Sequence, residues 1–452
     1  MRSLCIVVAL SALFCTAEAG ETPRPNILFL LADDMRFDAM SCAGNPVIQT
    51  PKIDSLASRG VMFKNHFVTT SICCVSRASI FSGQYARRHG IEDFHTDFTP
   101  AALAQTYPML LRAAGYRVGF IGKFGVGDKL PAKEFDYWKG FPGQGRFFEK
   151  NDPDHLTKKM GDQALEFLKG CDGTKPFCLA ISFKAPHAQD GAEREFPPDA
   201  RDAKLYADAE VAVPKTADEA FFLRLPEFVQ KSEGHRRWTR RFATPDMFQA
   251  TTRDYFRLVT GIDREVGRIL TALDEMKVAD NTVVVFTSDN GFFFGERGMA
   301  DKWLMYEESI RVPLIIYDPR QPAARRAQKS DAMTLNIDLA PTLLDIAGLP
   351  APQAMQGRSV LPLVRGETPA PAWRTEFFYE HHTEPKIIPR SEGVRNERYS
   401  YIRWMDADPV IEELYDIQAD ALEERNLIAA PEQKAALDAL RARWAVLSKE
   451  LK

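Results

Sequence analysis

Two short, continuous apolar segments far apart in the chain constrain its fold most. Residues 26–34 read NILFLLADD, and residues 281–290 read NTVVVFTSDN. Uninterrupted apolar runs of this length are typical of parallel strands buried on both faces of a sheet. Each run ends in oxygen-bearing side chains, and ligands bind at the carboxyl-terminal edge of such sheets. Asp33 and Asp34, or Asp289 and Asn290, could each belong to a solvated loop or a helix cap. The two pairs together predict a site for a hard cation, Ca²⁺ or Mg²⁺.

Helical and strand-like patterns alternate along the rest of the chain. Helices are predicted at 50–60, 103–114, 156–168, 249–276 and 336–348, and strands at 61–68, 116–121, 177–183 and 314–317. Strands of a small antiparallel sheet are predicted at 376–379, 399–404 and 413–417, and a final helix is predicted at 431–451. Residues 188–244 lack a clear pattern and contain a basic run, HRRWTRR, which is either a solvated face or the wall of a pocket for a polyanion. We expect an α/β catalytic domain over residues 20–362 and a smaller C-terminal α+β subdomain over residues 363–452.

The N-terminus has the pattern of a secretory signal peptide. A charged start precedes an apolar run at residues 4–14 and the small residues Ala17 and Ala19, so cleavage is expected after Ala19. The run is too short to span a bilayer, and no later segment is long and apolar enough. We expect residues 1–19 to be removed and the mature protein to be periplasmic or secreted. The net charge of −4 disfavours nucleic-acid binding by bulk electrostatics.

Five cysteines follow the signal segment, and two pairs of them stand out. Cys171 and Cys178 flank a turn and can form a disulfide in an oxidising compartment. Residues 71–83 read SICCVSRASIFSG, which places Cys73 at the start of a helical pattern with Arg77 four residues later. The positive end of the helix dipole and the guanidinium both favour an anion at Cys73. The alternative is a buried cysteine pair in a core turn.

The segment Cys73-Cys-Val-Ser-Arg77, followed by Ser82-Gly83, resembles the signature of the type I sulfatases of the alkaline phosphatase superfamily. In that family the first residue of a Cys-x-Pro/Ala-x-Arg run is oxidised to formylglycine, and the register of Arg77 indicates Cys73 rather than Cys74. Further matching pieces follow in the family's order at 31–34, 115–123, 185–187, 288–291, 302–313 and 413–416. The resemblance covers nearly all of the mature chain and implies an alkaline-phosphatase-like large mixed sheet flanked by helices.

The resemblance implies a role for each matching position. The implied metal ligands, normally for Ca²⁺, are Asp33, Asp34, Asp289, Asn290 and the formylglycine made from Cys73. The implied catalytic residues that hold the sulfate oxygens or the leaving oxygen, and so bind substrate, are Arg77, Lys123, Lys302 and His187. In the C-terminal region His381 and Arg395, with His382 and Arg390, either contact the substrate or are surface residues of a loop.

The sequence departs from the family pattern at three places. Val75 replaces the usual Pro or Ala, and Gly125 and Arg297 each stand where relatives carry a histidine. Without a histidine at position 125, either Asp289 or a histidine from elsewhere has to act as the base. The departures concern the base and the geometry of the site and leave the implied reaction class unchanged.

The residues and the resemblance together predict an exported sulfatase that hydrolyses sulfate esters of carbohydrates. Its expected partners are a sulfated saccharide as substrate and a formylglycine-generating enzyme for maturation. Two alternatives fit the same positions. One is a phosphodiesterase or phosphonate monoester hydrolase of the same superfamily, and the other is a non-catalytic glycan-binding relative with Cys73 unmodified.

Overall fold

The apolar run that ends in Asp33 forms a central strand of an eight-stranded sheet. The computed structural model describes residues 24–452, and within them the strands are β1 Asn26–Asp33, β2 Val61–Phe67, β3 Arg117–Lys123, β4 Tyr137–Phe141, β5 Phe177–Pro186, β6 Thr282–Ser288, β7 Phe293–Phe294, β8 Ala300–Asp301, β9 Arg311–Tyr317, β10 Gln328–Leu335, β11 Glu376–His381, β12 Ser391–Asn396, β13 Tyr399–Trp404 and β14 Ile411–Asp416. The order in the large sheet is β10-β2-β9-β6-β1-β5-β3-β4. The sheet is mixed because β9 pairs antiparallel with both β2 and β6, whereas the other pairs are parallel.

Helices cover both faces of this sheet. The described α-helices are α1 Pro51–Ala57, α2 Cys73–Ser82, α3 Ala86–His89, α4 Pro100–Ala104, α5 Tyr107–Ala113, α6 Leu156–Lys169, α7 Glu219–Phe222, α8 Glu227–Gln230, α9 Glu233–Arg241, α10 Pro245–Glu275, α11 Glu307–Ile310, α12 Leu339–Ile346, α13 Leu361–Arg365 and α14 Lys434–Glu450. Leu28 and Leu30 of β1 pack against α6 and α10. Ile27, Phe29 and Leu31 pack against α2, α5 and α12 on the other face. Burial on both faces explains why the run is continuously apolar.

A second, antiparallel sheet in the order β11-β12-β13-β14 lies in the C-terminal region. Val394, Tyr401 and Leu414 on one of its faces pack against α14. Phe377 on the other face stacks on Phe67 of the large sheet at 5.1 Å between ring centroids. The predicted fold class, a large mixed sheet flanked by helices with a smaller C-terminal sheet and helix, is confirmed.

Several local expectations differ from the structure. The helix expected at 103–114 is two helices, because Thr106 is the N-cap of α5 and Pro108 lies in its first turn. Strand β12 was not predicted, since SEGVRN has no apolar alternation and contains a glycine. The patternless segment 188–244 contains three short helices, and the basic run lies in α9.

Cys171 and Cys178 do not form a disulfide, and both are free thiols. Cys178 packs into the cluster on one face of the large sheet, whereas Cys171 packs against the cluster on the opposite face. The expected signal peptide, residues 1–19, lies outside the described residues. Among residues 24–452, none of the helices combines the length and the hydropathy needed to cross a bilayer.

Candidate active site

The carboxyl-terminal ends of four neighbouring strands, β6, β1, β5 and β3, converge on the first turn of α2. Nine of the predicted side chains meet there, each at most 3% exposed: Asp33, Asp34, Cys73, Arg77, Lys123, His187, Asp289, Asn290 and Lys302. Parallel strands end at the same edge of a sheet, which brings residues that are far apart in sequence into contact. The structure therefore assembles every predicted site residue except the two C-terminal ones, His381 and Arg395.

Each carboxylate of the site is paired with a buried cation. The shortest nitrogen-to-oxygen distances are 2.7 Å from Lys123 Nζ to Asp33, 2.6 Å from Lys302 Nζ to Asp34 and 2.7 Å from Arg77 Nε to Asp289. The backbone also joins two of the strand ends, because the Asp34 N–H donates to Asp289 Oδ1 at 3.1 Å. Three carboxylates and three cationic side chains therefore lie together in one buried region, where charges interact more strongly than in water.

The three carboxyl groups do not have the same affinity for protons. Burial raises the pKa of Asp34 to about 7, and although Lys302 opposes this shift, Asp33 and Asp289 add to it. Burial acts in the same direction on Asp33, but Lys123 and other cations outweigh it and hold the pKa of Asp33 well below its usual range. Mutual repulsion of buried carboxylates is relieved by a cation placed between them.

The donor atoms fit a hard divalent cation. One ligand atom from each of Asp33, Asp34, Cys73 and His187 lies within 4.8 Å of the others. The amide nitrogen of Asn290 donates to Asp34, while its Oδ1 is buried and has no hydrogen-bond partner among the described residues. A buried amide oxygen without a protein partner is normally satisfied by an ordered water or an ion, and the clustered carboxylates beside it favour a cation. Oxygen donors of this kind suit Ca²⁺ or Mg²⁺.

Cys73 is the first residue of α2 and its sulfur lies 3.5 Å from Asp33 Oδ1. Burial raises the pKa of the Cys73 thiol to about 12, so the unmodified side chain is a protonated thiol at neutral pH. Burial therefore outweighs the attraction of Lys123 and Lys302, which acts to lower the pKa of the thiol. Cys74 and Val75 pack instead into an apolar cluster with Trp303, outside the ring of carboxylates.

Arg77 is fixed by several contacts and fills the space beside Gly125. Its guanidinium bonds Asp289, the Lys123 carbonyl at 2.6 Å and the Ser182 hydroxyl. A Cβ at position 125 would lie 2.6 Å from Arg77 Cδ, and the φ of Gly125 is +74°. A histidine, which the family pattern predicts here, therefore has no room at this position. One nitrogen of Arg77, Nη2, lies 3.5 Å from Asp33 Oδ2 but has no hydrogen-bond partner within residues 24–452, so it can still donate to a ligand.

His187 is the histidine that the structure places in the cluster. Its Nδ1 lies 2.6 Å from the Ala188 carbonyl oxygen and therefore carries the proton. Its Nε2 lies 3.7 Å from Asp34 Oδ2. Burial, helped by Lys302, holds the pKa of His187 well below its usual range, so the imidazole is neutral. Arg297 lies elsewhere, where it pairs with Glu308 at 3.3 Å.

The C-terminal residues proposed from the sequence do not touch this cluster. His381 is fully buried, and neither of its ring nitrogens has a hydrogen-bond partner among the described residues. Arg395 pairs with Glu307 at 2.8 Å. His382 and Arg390 form ion pairs within the C-terminal region. Their role in substrate binding stays a prediction.

Sequence reasoning missed two side chains that support the site. Gln144 Oε1 lies 2.6 Å from Lys123 Nζ. Tyr255 of α10 donates its hydroxyl hydrogen to the Asp34 carbonyl at 2.6 Å. Gln144 lies in a glycine-rich loop without a pattern, and Tyr255 lies on the apolar face of α10, where nothing distinguishes it from a core aromatic residue.

The basic run in α9 contacts the residue that precedes Lys302 of the site. Arg237 and Arg241 each lie 2.7 Å from a carboxylate oxygen of Asp301, which is fully buried and precedes Lys302. Asp301 has a φ of +66°, a conformation that a residue other than glycine adopts only where its surroundings hold it. Two members of the run are therefore buried ion-pair partners rather than a solvated face.

Comparison with known proteins agrees with this geometry. Residues 25–349 match the family model "Sulfatase", and residues 295–450 match the model of the C-terminal part of N-sulphoglucosamine sulphohydrolase. The N-acetylglucosamine-6-O-sulfatase of Bacteroides thetaiotaomicron is 32% identical, and the match covers 94% of this chain and 87% of that protein.

Solved structures show the same relationship. A protein in complex with its substrate D-glucosamine-2-N,6-O-disulfate is 28% identical, has a TM-score of 0.81 and matches over 95% of this chain and 98% of its own. The phosphonate monoester hydrolase of Agrobacterium radiobacter, 20% identical with a TM-score of 0.80 over 95% of this chain and 96% of its own, shares the fold. On the family matches, the full-length similarity and the assembled cluster, the chain belongs to the sulfatase family and is a sulfuric ester hydrolase.

Proposed function

We propose that this sulfatase removes the 6-O-sulfate from glucosamine residues of sulfated saccharides, with a formylglycine made from Cys73 as its nucleophile. The observation that carries the proposal is the position of Cys73, whose sulfur lies beside Asp33 among the buried cations Arg77, Lys123 and Lys302. The substrate class is taken from similar proteins. One is named an N-acetylglucosamine-6-O-sulfatase, and one solved structure is a complex with the substrate D-glucosamine-2-N,6-O-disulfate.

The residues that would hold a divalent cation, Ca²⁺ or Mg²⁺, are Asp33, Asp34, Asp289, Asn290 and the formylglycine at position 73. When bound, such a cation lowers the pKa of a hydroxyl group and supplies a nucleophile at neutral pH. Arg77, Lys123 and Lys302 hold the sulfate oxygens and stabilise the charge that they share in the transition state. These cations act strongly because all three are buried, and charges interact more strongly away from bulk water.

His187 is proposed to protonate the leaving oxygen. Its Nδ1–H is held by the Ala188 carbonyl, so Nε2 faces Asp34 and the site. The anionic sulfate ester adds negative charge beside the imidazole, which raises its pKa and favours uptake of a proton at Nε2. That proton then passes to the departing sugar oxygen as the sulfur–oxygen bond breaks.

We also propose export of the protein and a division of the chain near residue 362. The N-terminal pattern supports removal of residues 1–19 and a periplasmic or secreted location. The large sheet ends with Leu335 and the small sheet begins with Glu376, which supports a catalytic domain over 20–362 and a C-terminal subdomain over 363–452.

The test is sulfate release from N-acetylglucosamine-6-O-sulfate by protein made in its native host or with a formylglycine-generating enzyme. Wild-type protein should release sulfate, Cys73→Ala should abolish release, and Cys74→Ala should retain it because Cys74 packs in an apolar cluster. Intact mass of the peptide that contains Cys73 should show conversion to the aldehyde. A chelator should remove activity, and Ca²⁺ or Mg²⁺ should restore it. Sulfate release that survives Cys73→Ala would falsify the mechanism.

The alternative of a phosphonate or phosphodiester hydrolase is separated by paired substrates. Matched aryl sulfate, phosphonate and phosphodiester esters should be hydrolysed in that order of kcat/KM. A higher kcat/KM on the phosphonate or the phosphodiester would transfer the assignment to that reaction.

A further inference from the structure

A cavity lies beside the active site. It has a volume of about 380 Å³, and its polar lining comes from Gln144, Arg146, Lys184, Gln189 and Asp190. The sulfate-binding residues of the proposed mechanism do not line it. Nothing in the reaction described above uses this cavity.

Lys184 in the cavity wall is a buried cation without a carboxylate partner. It is 1% exposed, its Nζ donates to the Ala188 carbonyl at 3.0 Å, and it lies 4.9 Å from the centre of the Phe147 ring. Among residues 24–452, no carboxylate oxygen lies within 4.0 Å of Lys184 Nζ, although Asp33, Asp190 and Asp34 attract it from further away. A buried ammonium without a carboxylate in contact is unfavourable, so an anion supplied by a ligand is expected to bind there.

The rest of the lining contains one further cation, Arg146, and one carboxylate, Asp190. Arg146 is exposed at the cavity and has no ion-pair partner among the described residues. Asp190 is the carboxylate of the lining, and it already pairs with Arg241 at 2.6 Å and Arg237 at 3.1 Å. Two cations are therefore available to a ligand, whereas the carboxylate of Asp190 is already engaged in ion pairs within the protein.

Gln144 connects the cavity to the reaction centre. The side chain lines the cavity, and its Oε1 accepts a hydrogen bond of 2.6 Å from Lys123 Nζ. Lys123 in turn lies 2.7 Å from Asp33. The cavity and Lys123 of the reaction centre are therefore connected through one side chain, Gln144.

We propose that this cavity is a second anion subsite, in which Lys184 and Arg146 bind a further anionic group of the saccharide whose sulfate ester is cleaved. The group is a sulfate or a carboxylate, carried by the same sugar or by the adjacent one. The inference rests on the proposed function, because it presupposes a saccharide at the reaction centre. It makes the enzyme selective for polyanionic over singly sulfated substrates.

The test compares three substrates on the matured enzyme. They are N-acetylglucosamine-6-O-sulfate, glucosamine-2-N,6-O-disulfate and a 6-O-sulfated disaccharide that contains a uronic acid. Wild-type kcat/KM should be higher on at least one of the two polyanionic substrates, and the preferred one identifies the source of the second anion. Lys184→Met should lower the ratio of kcat/KM between that substrate and the monosulfate about tenfold, mainly through KM, as expected for loss of a charge-assisted hydrogen bond. Lys169→Met, a change at an exposed lysine of α6, should leave the ratio unchanged.

Two results separate the failure of this inference from the failure of the proposed function. Sulfate release by the wild type with an unaltered ratio in both Lys184→Met and Arg146→Gln overturns the subsite and leaves the function standing. No sulfate release from any of the three substrates by enzyme with confirmed formylglycine overturns the function itself. Arg146 is exposed, so Arg146→Gln provides the readout even if Lys184→Met does not fold.

Discussion

Gly125 shows how a missing side chain shapes the site. The family pattern predicts a histidine at this position, whereas here Arg77 occupies the space that a side chain would need. Arg77 in turn connects Asp289, the end of β3 and Ser182 of β5. The glycine therefore permits a guanidinium position that spans three strand ends.

The first prediction is that Gly125→Ala lowers activity by displacing Arg77. Both Gly125→Ala and the control Gly173→Ala place a Cβ at a positive φ, +74° and +76°, which costs about 1–2 kcal/mol of stability in each case. No atom lies within 4 Å of a Cβ at position 173. We expect kcat/KM on an aryl sulfate to fall about 100-fold in Gly125→Ala and to be unchanged in Gly173→Ala. Equal kcat/KM values for the two variants would contradict the account.

The second prediction concerns the pH dependence of stability at Glu423. Burial raises the pKa of this carboxyl to about 8, and Glu307 and Glu308 add to the shift against the attraction of Arg297. The folded protein therefore holds a proton that the unfolded chain releases near its ordinary pKa of about 4.3. Its contribution to stability is present in full below that pH and is lost as pH rises to about 8.

Glu423→Gln mimics the protonated carboxyl at every pH. Urea unfolding should give similar free energies of unfolding for wild type and variant at pH 5 and a less stable wild type at pH 8.5. Glu424→Gln is the control, since Glu424 is partly exposed and pairs with Lys215 at 2.7 Å. A difference between wild type and Glu423→Gln that does not change with pH would refute the assignment.

At the scale of elements, α9 is held to the site by ion pairs rather than by an apolar face. Arg241 is 2% exposed and contacts Asp301, Asp190 and Glu195. Removing one member of a buried ion-pair network leaves its partners desolvated and unpaired.

The third prediction follows from this network. Arg241→Ala should lower the free energy of unfolding by about 3–5 kcal/mol, because it leaves buried carboxylates without a charged partner. Arg240→Ala changes the exposed neighbour on the same helix and should stay within about 0.5 kcal/mol of wild type. Urea denaturation of both variants is the measurement. A loss below 1 kcal/mol in Arg241→Ala would show that the ion pairs contribute little.

Elements with a single dominant signal were predictable from the sequence, and those stabilised by distant partners were not. Strands β1 and β6 read as buried because apolar residues occupy both of their faces, and α10 reads as a helix from its stripe of Leu258, Ile262 and Val266. Strand β12 forms because β11 and β13 pair with it on both sides, although its own residues have weak strand propensity. The burial of α9 depends on Asp301, about 60 residues away, which no local pattern contains.

At the scale of the whole molecule, the C-terminal sheet reaches loops on both sides of the site. Tyr379 of β11 donates its hydroxyl hydrogen to the Trp303 carbonyl at 2.7 Å and accepts from the Ser71 N–H at 3.3 Å. Trp303 follows Lys302, and Ser71 precedes Cys73 by two residues. The positions of Asp33, Asp34, Asp289 and Asn290 were predictable because each lies at the end of a recognisable strand. This bridge was not, because it joins three segments across more than 300 residues.

The last prediction is that Tyr379→Phe loosens the site without altering any residue in it. The change leaves the Trp303 carbonyl and the Ser71 amide without their buried partner, at a cost of about 1–3 kcal/mol in the free energy of unfolding. Because both groups border residues of the reaction centre, kcat/KM should fall together with stability. Tyr399→Phe is the matched control, since it removes a hydroxyl bonded to Gln433 on the side of the sheet that faces α14. If the two variants show the same kcat/KM, the C-terminal sheet does not position the site through Tyr379.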